Sequence, residues 1–110
     1  MQYGHFPKGQ RFGLGQRIID AALDACGHVI EANNIWPTNA GELQTRKDYF
    51  MKAIGELKKL DCFIGLADGR FGIDKNIIQQ WSEKINEEMR LIQGVMETDK
   101  KRWSFLNEPF

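Results

Sequence analysis

Two ionisable side chains near the middle of the first amphipathic segment have the spacing that proton transfer requires. Asp24 precedes His28 by four residues, so on a helix the carboxylate can orient the imidazole as a general base. No candidate nucleophile accompanies them. We therefore interpret Asp24 and His28 as an exposed helical ion pair, and we predict no catalytic residues and no enzymatic activity.

Metal ligation is the second chemistry to consider. Cys26, His28, Cys62 and His5 carry ligand atoms, but Cys26 and His28 are two residues apart and point to different helical faces. The chain has no C-x-x-C or H-E-x-x-H spacing. We predict no metal site and no cofactor, and we expect both cysteines to be buried free thiols, because each lies among apolar residues at helical spacing.

Basic residues surround the beginning of the first amphipathic segment. Lys8, Arg11 and Arg17 occur within residues 1–17, which contain no acidic residue. Unpaired N–H groups and the helix dipole favour an anion at a helix N-terminus, so these residues are candidates for binding the phosphates of a nucleic acid. A solvated charged face is the alternative interpretation.

Aromatic residues could add stacking to such a site. Phe6, Phe12 and Trp36 could stack on unpaired bases, although aromatic residues near the ends of helical bundles more often cap the core. Trp81 falls on an apolar stripe and is expected in the core. Trp103, which follows Lys100, Lys101 and Arg102, is not placed by the sequence.

The elements that must position these residues are helices. Apolar residues recur at spacings of three and four in three segments, which predict helices over about 13–33, 43–67 and 74–97, followed by a tail over 98–110. The stripe of the first helix comprises Leu14, Ile18, Ile19, Ala22, Leu23, Cys26, Val29 and Ile30. With short connections and no hairpin signal, this pattern predicts one all-α domain over 1–110, an antiparallel up-and-down helical bundle.

Capping residues indicate where the helices begin and end. Asn33 and Asn34 followed by Pro37 end the first helix, and Gly69 suits the C-cap of the second. Asp74 is a good N-cap for the third helix, where Ile73 can pack on Ile78 as a hydrophobic staple.

Size and charge limit the class of protein. The 110 residues carry a net charge of zero, which argues against coating nucleic acid by bulk charge. No apolar run approaches the roughly 20 residues that span a bilayer, and the first residues lack the features of a secretion signal. We expect a cytoplasmic protein without membrane contact.

The segment from Phe6 to Ile18 reads F-P-K-G-Q-R-F-G-L-G-Q-R-I. It resembles the F-P-K-x-x-R-F-x-L-G-x-R-I signature of a four-helix-bundle family that contains the accessory variability determinants of diversity-generating retroelements and the ribosomal-RNA intervening-sequence proteins. I-E-A-N at 30–33 and E-L-K-K-L at 56–60 are similar to further motifs of that family. The similarity covers residues 6–96, and the family's first helix would be short or missing here.

The resemblance implies a non-enzymatic four-helix bundle that assembles into a closed homo-oligomeric ring, pentameric in the accessory proteins. It implies reverse transcriptase as a partner, with template RNA or cDNA bound at Lys8, Arg11 and Arg17 during mutagenic retrohoming. The alternative is a protein of the intervening-sequence type, an interaction module that does not bind nucleic acid.

Overall fold

Three long α-helices account for most of the chain. A computed structural model describes residues 8–72 and 74–107, and the side chains of residues 8–12, 14, 70, 71 and 107 lie outside the description. The elements in chain order are α1 (Lys8–Asn33), α2 (Ala40–Phe71), α3 (Lys75–Arg102) and a 3₁₀ turn (Ser104–Asn107). The described residues contain no strand, which confirms the all-α class. They contain three long helices rather than four, so a four-helix bundle remains a prediction.

The helices are longer than the apolar periodicity indicated. α1 begins at Lys8 rather than near residue 13, α2 extends beyond 43–67 at both ends, and α3 continues to Arg102. The segment 98–102 of the predicted tail is therefore the end of α3. The only other regular element of the described tail is the 3₁₀ turn, so residues 98–107 do not supply a fourth α-helix.

The N-terminus of α2 is stabilised by its own side chains. Asn39 is the N-cap, and its side chain accepts a hydrogen bond from the Glu42 N–H at 2.9 Å. In return, the Glu42 carboxylate accepts hydrogen bonds from the Thr38 N–H at 2.9 Å and from the Thr38 hydroxyl. These contacts lower the pKa of Glu42 below its ordinary value of 4.5, the Thr38 hydroxyl being the largest cause.

The turn from α2 to α3 requires a glycine, although not the predicted one. Gly72 is the C-cap, with φ of 61°, and its N–H donates to the Asp68 carbonyl at 3.0 Å. The prediction of Gly69 was wrong, because Gly69 lies inside α2. Asp74 is the N-cap of α3, as predicted, and accepts from the Asn76 N–H at 2.8 Å. Ile73, the proposed partner of Ile78 in a staple, lies outside the described residues.

α2 is the central element of the core. α1 packs on it through small side chains, since Ala21, Ala25 and Ala32 are buried, and alanines allow two helices to approach closely. α3 packs on another side of α2 through the larger Ile85 and Ile92. The core contributed by α2 comprises Phe50, Ala53, Ile54, Leu57, Leu60 and Ile64.

α1 and α3 leave a groove between them. Among the described residues, these two helices have no Cα atoms within 8 Å of each other. The groove has a volume of about 390 Å³, and Leu57 and Leu60 of α2 are among its lining residues. The predicted stripe of α1 is therefore only partly core: Ile18, Ala22 and Val29 are half-buried, whereas the other described members, Ile19, Leu23, Cys26 and Ile30, are exposed.

A buried arginine joins all three helices at one end of the molecule. Arg46 of α2 donates from Nε to Asp99 Oδ2 of α3 at 2.7 Å and from Nη2 to Asp99 Oδ1 at 3.3 Å. Its Nη1 donates to the carbonyls of Ala32 and Ile35, each at 3.0 Å, at the end of α1. Four of the five guanidinium N–H groups therefore have acceptors.

Aromatic rings enclose the same guanidinium. Its Cζ lies 5.1 Å from the centroid of the Phe50 ring and 5.2 Å from that of Trp103. Arg46 and Asp99 are both only 7% exposed. A buried charge is stable only when it has a partner of opposite charge. The burial of Arg46 therefore depends on Asp99, and the burial of Asp99 depends on Arg46.

Replacing Arg46 should destabilise the protein strongly. Arg46→Met leaves the Asp99 carboxylate buried without a partner, and we expect a loss of about 3–5 kcal/mol in the free energy of unfolding. The double variant Arg46→Met with Asp99→Leu should recover part of that loss, because it removes the orphan charge. Chemical denaturation measures both, with Arg90→Met on the exposed side of α3 as the control. Equal effects of Arg46→Met and Arg90→Met would show that the pair contributes nothing.

The lowered pKa of Glu42 predicts how stability depends on pH. The folded protein prefers the Glu42 carboxylate, so this contribution is complete above the unfolded pKa and is lost as the pH falls through the folded pKa. Wild type should melt at a higher temperature than Glu42→Gln at neutral pH, and the two melting temperatures should converge in acid. Glu87→Gln, at an exposed position of α3, is the control. A gap that stays constant with pH would contradict the assignment.

Candidate functional site

The predicted nucleic-acid residues lie at the N-terminal end of α1. Lys8 is the first residue of the helix, and Arg11 follows within the first turn. Their side chains lie outside the described residues. The Arg17 side chain is exposed and forms no ion pair with the side chains that the structure describes.

The helix separates Arg17 from the other two residues. Lys8 and Arg11 are three residues apart and share one side of α1. Arg17 follows Arg11 by six residues, which rotates it by about 120°, and lies about 14 Å along the axis from Lys8. Lys8 and Arg11 therefore occur in the first turn of α1, whereas Arg17 occurs in a later turn of the helix.

A second cationic and aromatic group lies at the opposite end of the bundle. Trp36, in the connection between α1 and α2, is 67% exposed. The Arg102 guanidinium lies 5.8 Å from the centroid of its ring, and Trp103 meets the ring edge-on at 5.1 Å. Trp103 itself is 4% exposed and closes the core, so the tryptophan that the sequence did not place is structural. We call Trp36 and Arg102, both exposed, the distal platform.

Further cations lie in the last turn of α3 and at the beginning of α2. Lys100 and Lys101 are exposed in the last turn of α3, where they also face the negative end of the helix dipole. Lys47 and Lys100 line a cleft of about 360 Å³ between the beginning of α2 and the end of α3. Asp99, the buried acidic residue at the end of α3, forms an ion pair with Arg46 and adds no net negative charge to this surface. The surface therefore offers cations beside an accessible aromatic face.

His28 does not form the predicted ion pair with Asp24. Its ring stacks on that of Tyr49, with centroids 6.3 Å apart, and its Nδ1 is buried without a hydrogen-bond partner among the described residues. The neighbouring Glu31 carboxylate raises the pKa of Tyr49, because the ionised phenol would lie beside a second negative charge. Lys52 covers the same ring at 5.0 Å. The group packs α1 against α2.

The cysteines are free, as predicted, but both are exposed. Their predicted burial was wrong, because Cys26 faces the groove rather than the core and Cys62 lies on the outer surface of α2. Within the described ranges, no group of three or more His, Cys, Asp or Glu side chains could hold a metal ion.

None of the described helices combines the length and apolar character needed to span a membrane.

The most important polar residues were missed by sequence reasoning. Arg46 precedes Phe50 by four residues and Asp99 follows Ile92 by seven, so both lie on the apolar stripes of their helices. Opposite charges on the core stripes of two helices indicate a buried ion pair. The sequence therefore contained the signal that could have predicted this pair. Trp81, predicted in the core, is 40% exposed, so that prediction was wrong.

Comparisons with family models, with curated proteins and with solved structures find no match to this chain. The resemblance described above therefore rests on its motifs.

The two tryptophans at the distal end should differ sharply when truncated. Trp103→Ala removes a buried ring that contacts Arg46, and we expect a cost of about 3–5 kcal/mol in stability. Trp36→Ala removes a mostly exposed ring and should cost less than about 1 kcal/mol. Urea denaturation of both variants tests the assignment. A larger loss for Trp36→Ala would mean that Trp36, not Trp103, closes the bundle.

Proposed function

We propose that this protein is a non-enzymatic accessory protein of a diversity-generating retroelement. It binds the reverse transcriptase and holds template RNA or cDNA while the template is copied. The observation that carries the proposal is the thirteen-residue motif from Phe6 to Ile18, whose similarity to the family signature includes Lys8, Arg11 and Arg17.

The charge distribution supports nucleic-acid binding. Lys8 and Arg11 occur at the N-terminus of α1, where backbone N–H groups and the helix dipole attract phosphate. The distal platform adds an exposed ring beside a guanidinium, the combination on which unpaired bases stack. A single strand that follows the bundle could contact both ends, which reconciles binding with a net charge of zero.

The all-helical architecture and the open groove support the family's assembly into a homo-oligomer. In a four-helix bundle each helix contacts two neighbours, whereas α1 and α3 each contact only α2 among the long helices described. A fourth helix, from the family's first position or from another chain, would fill the groove. The family resemblance gives five copies in a ring.

Charge reversal tests the proposal. We expect Lys8→Glu, Arg11→Glu and Arg17→Glu together to weaken binding of labelled single-stranded RNA, measured by fluorescence anisotropy. The slope of log K against log salt should fall by about 2, since each lost phosphate contact removes about 0.7. The same variant should retain less reverse transcriptase–RNA complex in a pull-down.

The matched control reverses three exposed lysines elsewhere, Lys58, Lys59 and Lys75, with the same change in net charge. Trp36→Ala probes the distal platform and should weaken binding by about 1–3 kcal/mol if a base stacks there. Equal losses of RNA affinity in the triple variant and its control would show that the effect comes from net charge and not from this site. Unchanged binding in the triple variant would refute the basic site.

The second candidate function is an interaction module of the intervening-sequence type, which binds protein and no nucleic acid. The open groove favours it, because its lining is almost entirely apolar. An electrophoretic mobility shift with structured RNA separates the two functions. Retention at low micromolar protein supports the accessory protein, and no retention supports the interaction module.

A further inference from the structure

The cleft between the beginning of α2 and the end of α3 shares no lining residue with the groove between α1 and α3. Its volume of about 360 Å³ lies at the lower end of the range for small-molecule sites, roughly 300–1,000 Å³. Ala40, Leu43 and Met96 give the cleft apolar walls, and Gln44 adds an amide. Apolar walls with a few polar groups suit a small ligand that combines a ring with charged or polar atoms.

Each of the two helices that form the cleft contributes a lysine. Lys47 belongs to α2 and Lys100 to α3, and both line the cleft. Both side chains are exposed, and neither forms an ion pair with a side chain that the structure describes. Two lysines on two walls match a nucleotide within a strand, which has a phosphate on each side of its base.

Two carboxylates also line the cleft, and they differ in their contacts. Asp99 accepts two hydrogen bonds from Arg46, at 2.7 and 3.3 Å, and is neutralised by it. Glu97 is exposed and forms no ion pair with a described side chain. The lining therefore offers two positive charges and one negative charge to a ligand. This combination favours an anion that also carries N–H donors for Glu97.

Glu97 is the group that can distinguish between bases. An ionised carboxylate only accepts hydrogen bonds, so it pairs with a base edge that carries neighbouring donors. Guanine presents N1–H and the N2 amino group side by side, whereas the single N3–H of uracil lies between two carbonyl oxygens that the carboxylate repels. This Watson–Crick edge is accessible in a single strand and paired in a duplex.

The cleft and the distal platform lie close together at the end of α3. Asp99 lines the cleft and binds Arg46, whose Cζ lies 5.2 Å from the centroid of the Trp103 ring. Trp103 in turn meets Trp36 edge-on at 5.1 Å. A strand with one nucleotide in the cleft can therefore pass over the end of the bundle and stack another base on Trp36.

We propose that the cleft binds one guanine nucleotide of a single-stranded RNA. Lys47 and Lys100 bind the flanking phosphates, and Glu97 accepts from the N1–H and the amino group of the base. The ring packs against Leu43 and Met96. The inference rests on the proposed function for the class of ligand, and it adds a site, a strand type and a base preference. It leaves the groove between α1 and α3 available for contacts between copies.

Fluorescence anisotropy of the full chain with labelled RNA heptamers tests the base preference. One heptamer consists of uridines, and the other has guanosine at its central position. Wild type should bind the guanosine heptamer at least about fivefold more tightly, the lower limit for one bidentate base contact. A hairpin in which the guanosine is paired should lose this advantage. Free guanosine monophosphate should compete weakly, because it lacks the second phosphate and the base for Trp36.

Removal of the two lysines tests the phosphate contacts. Lys47→Gln with Lys100→Gln should weaken binding of both heptamers. The slope of log K against log salt should fall by about 1.4, since each lost phosphate contact removes about 0.7. Lys58→Gln with Lys75→Gln removes the same charge from exposed positions elsewhere and should change the slope less.

Glu97→Gln tests the base contact separately. This variant should bind both heptamers with similar affinity, because the amide offers one acceptor to two neighbouring donors. Its affinity for the uridine heptamer should not fall, since the substitution removes a negative charge. A purely structural role of Glu97 would not change the ratio of the two affinities. Circular dichroism confirms that each variant is folded.

Failure of this inference differs from failure of the proposed function. If the cleft variants bind both heptamers as wild type does, while reversal of Lys8, Arg11 and Arg17 weakens binding, the cleft is not a nucleotide site and the proposed function stands. Wild type that binds neither heptamer would overturn both. Equal affinity for free guanosine monophosphate and for the guanosine heptamer would overturn the strand. A guanine preference that Glu97→Gln abolishes, without retention of reverse transcriptase, would overturn the accessory function alone.

Discussion

The Arg46 guanidinium determines how α1 and α3 align along α2, which the hydrophobic effect alone would not do. It binds the Asp99 carboxylate of α3, two carbonyls at the end of α1, and the rings of Phe50 and Trp103. Apolar contacts are non-directional and tolerate a helix sliding along its neighbour. A bidentate ion pair in the core does not, because a shift of one turn would bury both charges unpaired. The pair thus fixes the register of α1 and α3 on α2.

That register has consequences at the distal end and along one side. At the distal end it places Trp103 in the core and leaves Trp36 on the surface beside Arg102. Along the side, α1 and α3 are both held against α2 and not against each other, so an apolar groove stays open. In the proposed function, the nucleic-acid contacts lie at the two ends of the bundle, whereas the contacts between copies lie along this groove.

The sequence predicted the helical class and several boundaries because these depend on local chemistry. Asp74 caps α3 by bonding to its own first turn, and Pro37 keeps the segment after Asn33 from continuing as helix. Which part of an apolar stripe is buried depends on which helices pack together, and the periodicity does not show that. For this reason Cys26 and Trp81 were assigned to the core, although they lie outside it. The role of Arg46 was missed, because its acceptors lie 53, 14 and 11 residues away in sequence. Among the predicted site residues, only Arg17 has a described side chain.

Hydrogen exchange at the Arg46 Nε–H, observed by NMR, tests most directly whether this guanidinium fixes the bundle. That proton donates to Asp99 at 2.7 Å inside the core, so it should exchange only when the whole protein unfolds, with an opening free energy equal to the global value. The Nε–H groups of the exposed Arg17 and Arg90 provide the unprotected reference. Exchange of the Arg46 proton at the rate of Arg90 would show that the pair opens freely and that the register of the helices has another cause.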